Sequence, residues 1–220
     1  MDMTNKQTNK ANEDIILMPS MMPIGPPNGL IRTISQQSNT HIIFIDDDIG
    51  EPPMYRDVIH CLATCGDNDM VNILINSSGG RTDSVWQIIE AMKGCQGEVV
   101  ATVIGAAYSA ASMLACMAPE CYIADSAEFM LHTAHYGSIG TVPNVKGQTD
   151  FATNQINKLL DICYTGFLTT KELADLKSGK EFWFNAEQSR DRMQRRYEYL
   201  EKEYKKRSKP PVRRTKQPSP

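Results

Sequence analysis

The chain has 220 residues, 41% of them hydrophobic, and a formal net charge of −3. That length supports one good hydrophobic core, and no apolar run approaches the roughly 20 residues a membrane-spanning helix needs. A soluble, intracellular, single-domain protein is expected, with no secretory leader at its N-terminus.

Charge is unevenly spread. Residues 189–220 hold 12 Lys and Arg against 4 Asp and Glu, so an acidic body of −11 precedes a basic segment of +8. Residues 1–37 are polar and then rich in Met and Pro, a composition that opposes a regular helix or a central strand. They are expected to form a flexible arm.

His41–Ile45 reads as a short apolar strand. Asp46-Asp47-Asp48 is the solvated turn after it, because consecutive carboxylates do not converge on one ion without further ligands. Pro52-Pro53 suits the first turn of a helix with Val58, Ile59, Leu62 and Ala63 at helical spacing, and His60 on it has no visible partner. Val71–Ile75 is a strand that ends in the loop Asn76-Ser77-Ser78-Gly79-Gly80. A helix capped by Asp83 or Ser84 then runs to Gly94. Val99–Ile104, a helix of small residues, Cys121–Ala124 and Phe129–His132 continue the alternation. Repeated βαβ units predict an α/β fold with a largely parallel sheet, helices outside and right-handed crossovers.

Beyond His132, Tyr136–Gly147 has loop composition, and Asp150–Leu168 carries an apolar stripe at helical spacing. Thr169-Thr170-Lys171-Glu172 is a capping box for a short helix stopped by Gly179. Glu181–Phe184 reads as a strand, and Asn185 and Gln188 cap the next helix. From Arg190 a long charged helix presents Met193, Tyr197, Leu200 and Tyr204 as a seam for its own body or a neighbouring subunit. The chain thus divides into the arm (1–37), a core domain (38–188), a charged amphipathic helix (189–207) and a basic tail (208–220) expected to be disordered. Nothing in the tail reads a base sequence, and nucleic-acid binding is not expected.

The candidate chemistry centres on Ser109. It stands where a buried strand turns into a helix, so unpaired N–H groups and the positive end of the helix dipole face outward beside it. A serine needs a base and donors aimed at the developing oxyanion. His132 ends a strand expected to lie parallel to the one before Ser109, and the glycine pair Gly79-Gly80 lets backbone approach a substrate. His135 makes an HxxH pair with His132, but residues three apart on a strand face opposite sides and no third ligand is evident. The six cysteines form no CxxC pair and read as reduced core thiols. No metal or cofactor is expected.

Three motifs together resemble the Clp protease proteolytic subunit family. Residues 75–80, INSSGG, are similar to its INSPGG loop; 105–112, GAAYSAAS, to its nucleophile turn; and 128–132, EFMLH, to its histidine strand. The interval from Gly80 to Ser109 is 29 residues, which matches the family without a gap, and the resemblance covers about residues 38–188. It implies a crotonase-like spiral of repeated ββα units with a projecting helix, in which Asp150–Leu168 packs against its twin in a second ring. It also implies a serine endopeptidase with Ser109 as nucleophile, His132 as base, and the N–H groups of Gly80 and Ala110 as oxyanion donors. Glu181, 49 residues after His132, falls where the family keeps its triad aspartate, and Asp175 is the alternative. Ser78 replaces a proline and Ala110 a methionine of the family pattern.

The resemblance further implies peptide or unfolded-protein substrates, stacked homo-oligomeric rings, an N-terminal segment serving an ATPase, and a cytoplasmic location, the host's if the chain is viral. The chain has no GxxxxGK[ST] loop, so ATP-driven unfolding would come from a separate Clp-type partner. Two rival readings are a viral capsid-maturation protease of the same superfamily, and a catalytically silent ring component or acyl-CoA-type crotonase relative.

Overall fold

A computed structural model describes the backbone strand at residues 31–35 and the chain from residue 38 to 207. The rest of the expected arm and the basic tail 208–220 lie outside the described residues. Within the arm, β1 (Ile31–Ser35) is a strand, pairing antiparallel with β2 (Asn39–Ile45). As an edge strand it escapes the proline argument, which applies to the segment ahead of it.

The other elements are α1 (Arg56–Thr64), β3 (Met70–Ser77), α2 (Thr82–Gly94), β4 (Glu98–Tyr108), α3 (Ala110–Met117), β5 (Glu120–Ile123) and β6 (Glu128–Leu131). After them come α4 (Val142–Tyr164), α5 (Thr170–Lys177), β7 (Phe182–Asn185) and α6 (Ala186–Arg207). The fold is mixed α/β, a single domain. Its sheet runs β1-β2-β3-β4-β6-β7, with β2, β3, β4 and β6 mutually parallel and the two edge strands antiparallel. β4 is long enough to serve two neighbours: Val100–Val103 pair with β5, and Ala106–Tyr108 with β6. Where the β3–β4 register shifts after Ile75, the Asn76 side chain accepts from the Ala106 N–H at 2.9 Å and keeps the ladder satisfied.

Ile43, Ile73, Ile75, Ala101 and Val103 from the strands and Val85, Ile88, Ile89 and Leu114 from the helices are almost wholly buried. Because β2, β3, β4 and β6 run in the same direction, the loops after them all emerge at one edge. That edge gathers Asp48-Ile49, Gly79-Gly80, Ser109 and His132.

Several expected boundaries shift. α2 begins at Thr82 with Arg81 as its N-cap residue, and Asp83 lies inside the first turn, accepting from the Ser84 N–H at 3.0 Å. α4 starts at Val142, inside the stretch of loop composition. Pro143 sits in the first turn, where its missing N–H leaves nothing unsatisfied. Only Leu160, Cys163 and Tyr164 of α4 are buried, and Phe151 is exposed, so the helix projects from the body as the resemblance implies. The capping box of α5 is complete in both directions, and Asn185 and Gln188 exchange the same reciprocal bonds.

The seam on α6 rests on the body only at its inner half. Met193 is buried, Tyr197 packs against the core, and Leu200 and Tyr204 are exposed. The surprise in this helix is Arg196, 2% exposed and, among the described residues, without a carboxylate partner. Its guanidinium donates to Cys116 O at 2.7 Å, Thr165 O at 2.7 Å and Ile162 O at 3.1 Å. These carbonyls close the C-terminal ends of α3 and α4, where unpaired acceptors and negative dipole ends favour a cation. Arg196→Ala leaves the buried Cys116 carbonyl and the part-buried Thr165 and Ile162 carbonyls without their donor and is expected to cost about 1–3 kcal/mol, read as a lower urea midpoint, with Arg196→Lys recovering only part because an ammonium lacks the planar fork.

Candidate active site

Ser109 lies between β4 and α3 with φ 52° and ψ −121°, and among the described residues it is the one non-glycine with positive φ. Such a conformation costs on the order of 1–3 kcal/mol and persists only where neighbours over-determine it. The Ser109 N–H donates to Met130 O at 2.7 Å, tying the turn to β6. Its carbonyl accepts from the Ser112 N–H at 3.1 Å and from Ser112 Oγ at 2.6 Å. Tyr164, wholly buried on α4, lies 2.7 Å from Ser112 Oγ and completes the relay. The residues 109 and 112 share a helix face by spacing; Tyr164, 52 residues on, carries no such sequence signal.

This turn aims the side chain at the histidine. Ser109 Oγ and His132 Nε2 are 2.7 Å apart, within the range of a strong hydrogen bond. His132 comes directly after the last residue of β6, so the pairing of β6 with β4 through Phe129 and Met130 sets the separation. The His132 pKa is held below its ordinary value, first by burial, then by the nearby His135, with the charge of Glu181 acting in the opposite sense. Both larger influences favour the neutral imidazole, the form in which a general base accepts a proton. The rings of His132 and His135 are 5.2 Å apart. The alternation argument that set them on opposite faces fails because β6 stops at Leu131 and the chain leaves the pleat.

The loop after β3 comes up to the serine from the other side. Gly79 has φ +98° and Gly80 φ +142°. A Cβ on Gly79 would stand 2.5 Å from Tyr108 O, and one on Gly80 2.3 Å from Ile49 O. Ile49 N–H donates to Gly79 O and Arg81 N–H to Ile49 O, a bridge that leaves the Gly80 N–H outside it. Ala110 is the first residue of α3, whose leading N–H groups lack intrahelical acceptors. Ser78, in place of the family's proline, hydrogen-bonds Asp48 through its hydroxyl and so anchors the loop to the turn after β2. The resulting cleft has a volume of about 920 Å³, with Ser109, His132, Gly80, Arg81, Met130 and Tyr136 among its lining residues. That is the size of a small-ligand or short-peptide site.

The acidic candidates are not seated like the other members. Glu181 is exposed just before β7, and among the described residues no hydrogen bond joins it to His132; its charge alone reaches the imidazole. Asp175 pairs with Lys180 at 3.7 Å and is not among the charges that act on His132.

Residues 28–192 match the family described as Clp protease. The chain belongs to the Clp protease family. A curated relative, the ATP-dependent Clp protease proteolytic subunit 1 of Leifsonia xyli subsp. xyli (strain CTCB07), is 25% identical over 123 residues, 55% of this chain and 62% of the relative. The chain thus matches less than two thirds of that relative's length. Clp family membership supports a peptidase of the serine type in general. Among the described residues no helix is long and apolar enough to cross a membrane.

The two neighbours of His132 act with opposite sign, which gives a test. His135→Ala removes an influence that lowers the imidazole pKa, so the acid limb of Ser109 reactivity is expected to move to higher pH. Glu181→Gln removes one that raises it, and the limb is expected to move lower; the pH profile of labelling by a fluorophosphonate reads both. Gly80→Ala forces a Cβ into Ile49 O and displaces the loop beside Ser109, and labelling is expected to fall by about 10²–10³, the scale on which removal of an oxyanion donor acts in serine hydrolases.

Proposed function

We propose that the chain is a serine endopeptidase subunit. Ser109 Oγ attacks the carbonyl carbon of a peptide bond while His132 Nε2 takes its proton. The same nitrogen then protonates the leaving amine as the acyl-enzyme forms, and a water repeats the sequence to release the acid. The Gly80 and Ala110 N–H groups stabilise the tetrahedral oxyanion in both steps. Glu181 is the third member of the triad, its carboxylate favouring the imidazolium that forms in the transition state. The observation that carries this reading is the 2.7 Å contact between Ser109 and His132 at a turn held in left-handed backbone.

The substrates on this reading are peptides and unfolded proteins. The projecting α4 supports assembly into stacked homo-oligomeric rings that enclose the cleft, with a separate Clp-type ATPase feeding the chamber and the whole acting in the cytoplasm. Exposed Ile139, Val142 and Phe151 at and near the outer end of α4 are apolar surface for such a ring contact.

Fluorophosphonate is expected to modify Ser109 alone among the serines, identified by peptide mass mapping. His132→Ala is expected to slow both labelling and peptide hydrolysis by at least about 10³, the scale of losing a triad base. A Ser109 that stays inert while the protein is folded and assembled would instead assign the chain a scaffolding role.

A further inference from the structure

The opposite edge of the sheet, where the parallel strands begin, carries a second group of chemistry-bearing side chains. His41 enters from the start of β2, Cys65 is the C-cap residue of α1, and Asp69 immediately precedes β3. A ligand-type atom of each, an imidazole nitrogen, a thiol sulfur and a carboxylate oxygen, lies within 4.8 Å of the other two. The site is largely dry: Cys65 is 4% exposed, and the side chains of His41 and Asp69 are 15% exposed.

Cys95, the C-cap residue of α2, stands beside Cys65. Burial first, and then the neighbouring Cys95 side chain, push the Cys65 thiol up to about 12. The Asp69 carboxylate is fixed in place by the Asn39 N–H at 2.8 Å on one oxygen and the Gly66 N–H at 2.9 Å on the other. Those bonds hold its pKa below the usual carboxylate value. His41 Nε2 approaches the same carboxylate at 3.9 Å. A Cβ on Gly97 would lie 2.6 Å from both Cys65 Sγ and Asp69 O, so the β4 entry is drawn tight against the group.

The surrounding field favours a cation. α1 and α2 both end here, and the carbonyls of a helix C-terminus carry partial negative charge. A donor set of one imidazole, one carboxylate and one thiol, with the second thiol of Cys95 beside Cys65, is that of a tetrahedral borderline-soft ion, whereas magnesium and calcium take oxygen ligands. Zinc bonds of about 2.0–2.3 Å put tetrahedral ligands about 3.5 Å apart, closer than the 4.8 Å span of these atoms, so an ion would draw the group inward around the anchored Asp69. We propose that His41, Cys65, Asp69 and Cys95 bind one structural zinc ion that ties α1, α2, β2 and β3 together at the edge remote from Ser109. The ligands come from four separate elements, so no CxxC or HxxH spacing announces them. A bare ion pair between His41 and Asp69 accounts for neither thiol.

The test uses the full-length, untagged protein, stripped of metal by a chelator under reducing, anaerobic conditions and titrated with cobalt(II). One equivalent is expected to bind, with a thiolate-to-cobalt charge-transfer band in the near ultraviolet and the visible bands of a tetrahedral ion, both bleached by zinc. His41→Ala and Cys95→Ser, each checked for an unchanged circular dichroism spectrum, are expected to weaken binding at least tenfold. His132→Ala and Cys163→Ser are expected to leave it intact. Zinc should also raise the melting temperature of the parent chain and not that of His41→Ala. Absence of saturable binding, or a thiolate band that survives in the folded His41→Ala and Cys95→Ser proteins alike, would overturn the assignment. Because the readout is spectroscopic, its failure leaves the reading of Ser109 untouched, and loss of Ser109 labelling would leave this site untouched.

Discussion

The left-handed backbone at Ser109 is the constraint on which the rest of the architecture depends. A strand ends and a helix begins within one residue, and that residue takes a positive φ, with its hydroxyl directed at His132. A glycine would adopt that conformation without strain but carries no nucleophile. The serine therefore has to be held there, and the means are local: Met130 O takes its N–H, Ser112 fills its carbonyl, and Tyr164 closes the relay from α4. The same Met130 backbone that holds the turn places His132 two residues further on, so one strand fixes both the Ser109 turn and the position of the imidazole beside its hydroxyl.

The glycines on the facing loop complete that logic. At Gly79 and Gly80 the backbone runs so close to Tyr108, Ser109 and Ile49 that no side chain fits. Close approach brings the main chain of this loop beside the N-terminus of α3, and backbone N–H groups are the same whichever side chains occupy positions 78 and 110. The departures from the family pattern at Ser78 and Ala110 are therefore compatible with the same geometry. Ser78 even supplies a substitute restraint, its hydroxyl bonded to Asp48 where a proline would have stiffened the chain.

Sequence periodicity located the strands β2 to β7 and the helices because each buries one recurring face, and the capping boxes at Thr169 and Asn185 are visible as residue pairs three apart. Ser109, His132 and the glycine pair were legible for a related reason: each ends a parallel strand, and parallel strands deliver their ends to one edge. What spacing could not carry is anything decided after a strand stops. His135 swings beside His132 once the pleat is left, and Glu181 sits before β7 on a loop whose path, not its register, sets its reach. The start of α4 was hidden by Pro143 and Gly147, which are loop residues by composition but tolerable here, the first because it occupies the opening turn. Arg196 was invisible among the charges of α6, since the acceptors that make its burial tolerable lie 31, 34 and 80 residues away.

Arg196 also explains why the strain at Ser109 is not relieved. The helix that begins with Ala110 could slide or rotate to let φ at Ser109 return to the ordinary region, unless its far end is fixed as well. The guanidinium fixes it: one fork binds carbonyls at the C-terminal ends of α3 and α4, while Ser112 and Tyr164 join the same two helices near Ser109. α3 is thus pinned to α4 at both ends, once by neutral hydroxyls and once by a buried cation. Rotation of α3 would break the buried bonds at both ends together, a larger cost than the strain it would release. The left-handed serine is in this sense a property of three helices, with α6 acting on the cleft from a distance through the packing of α3.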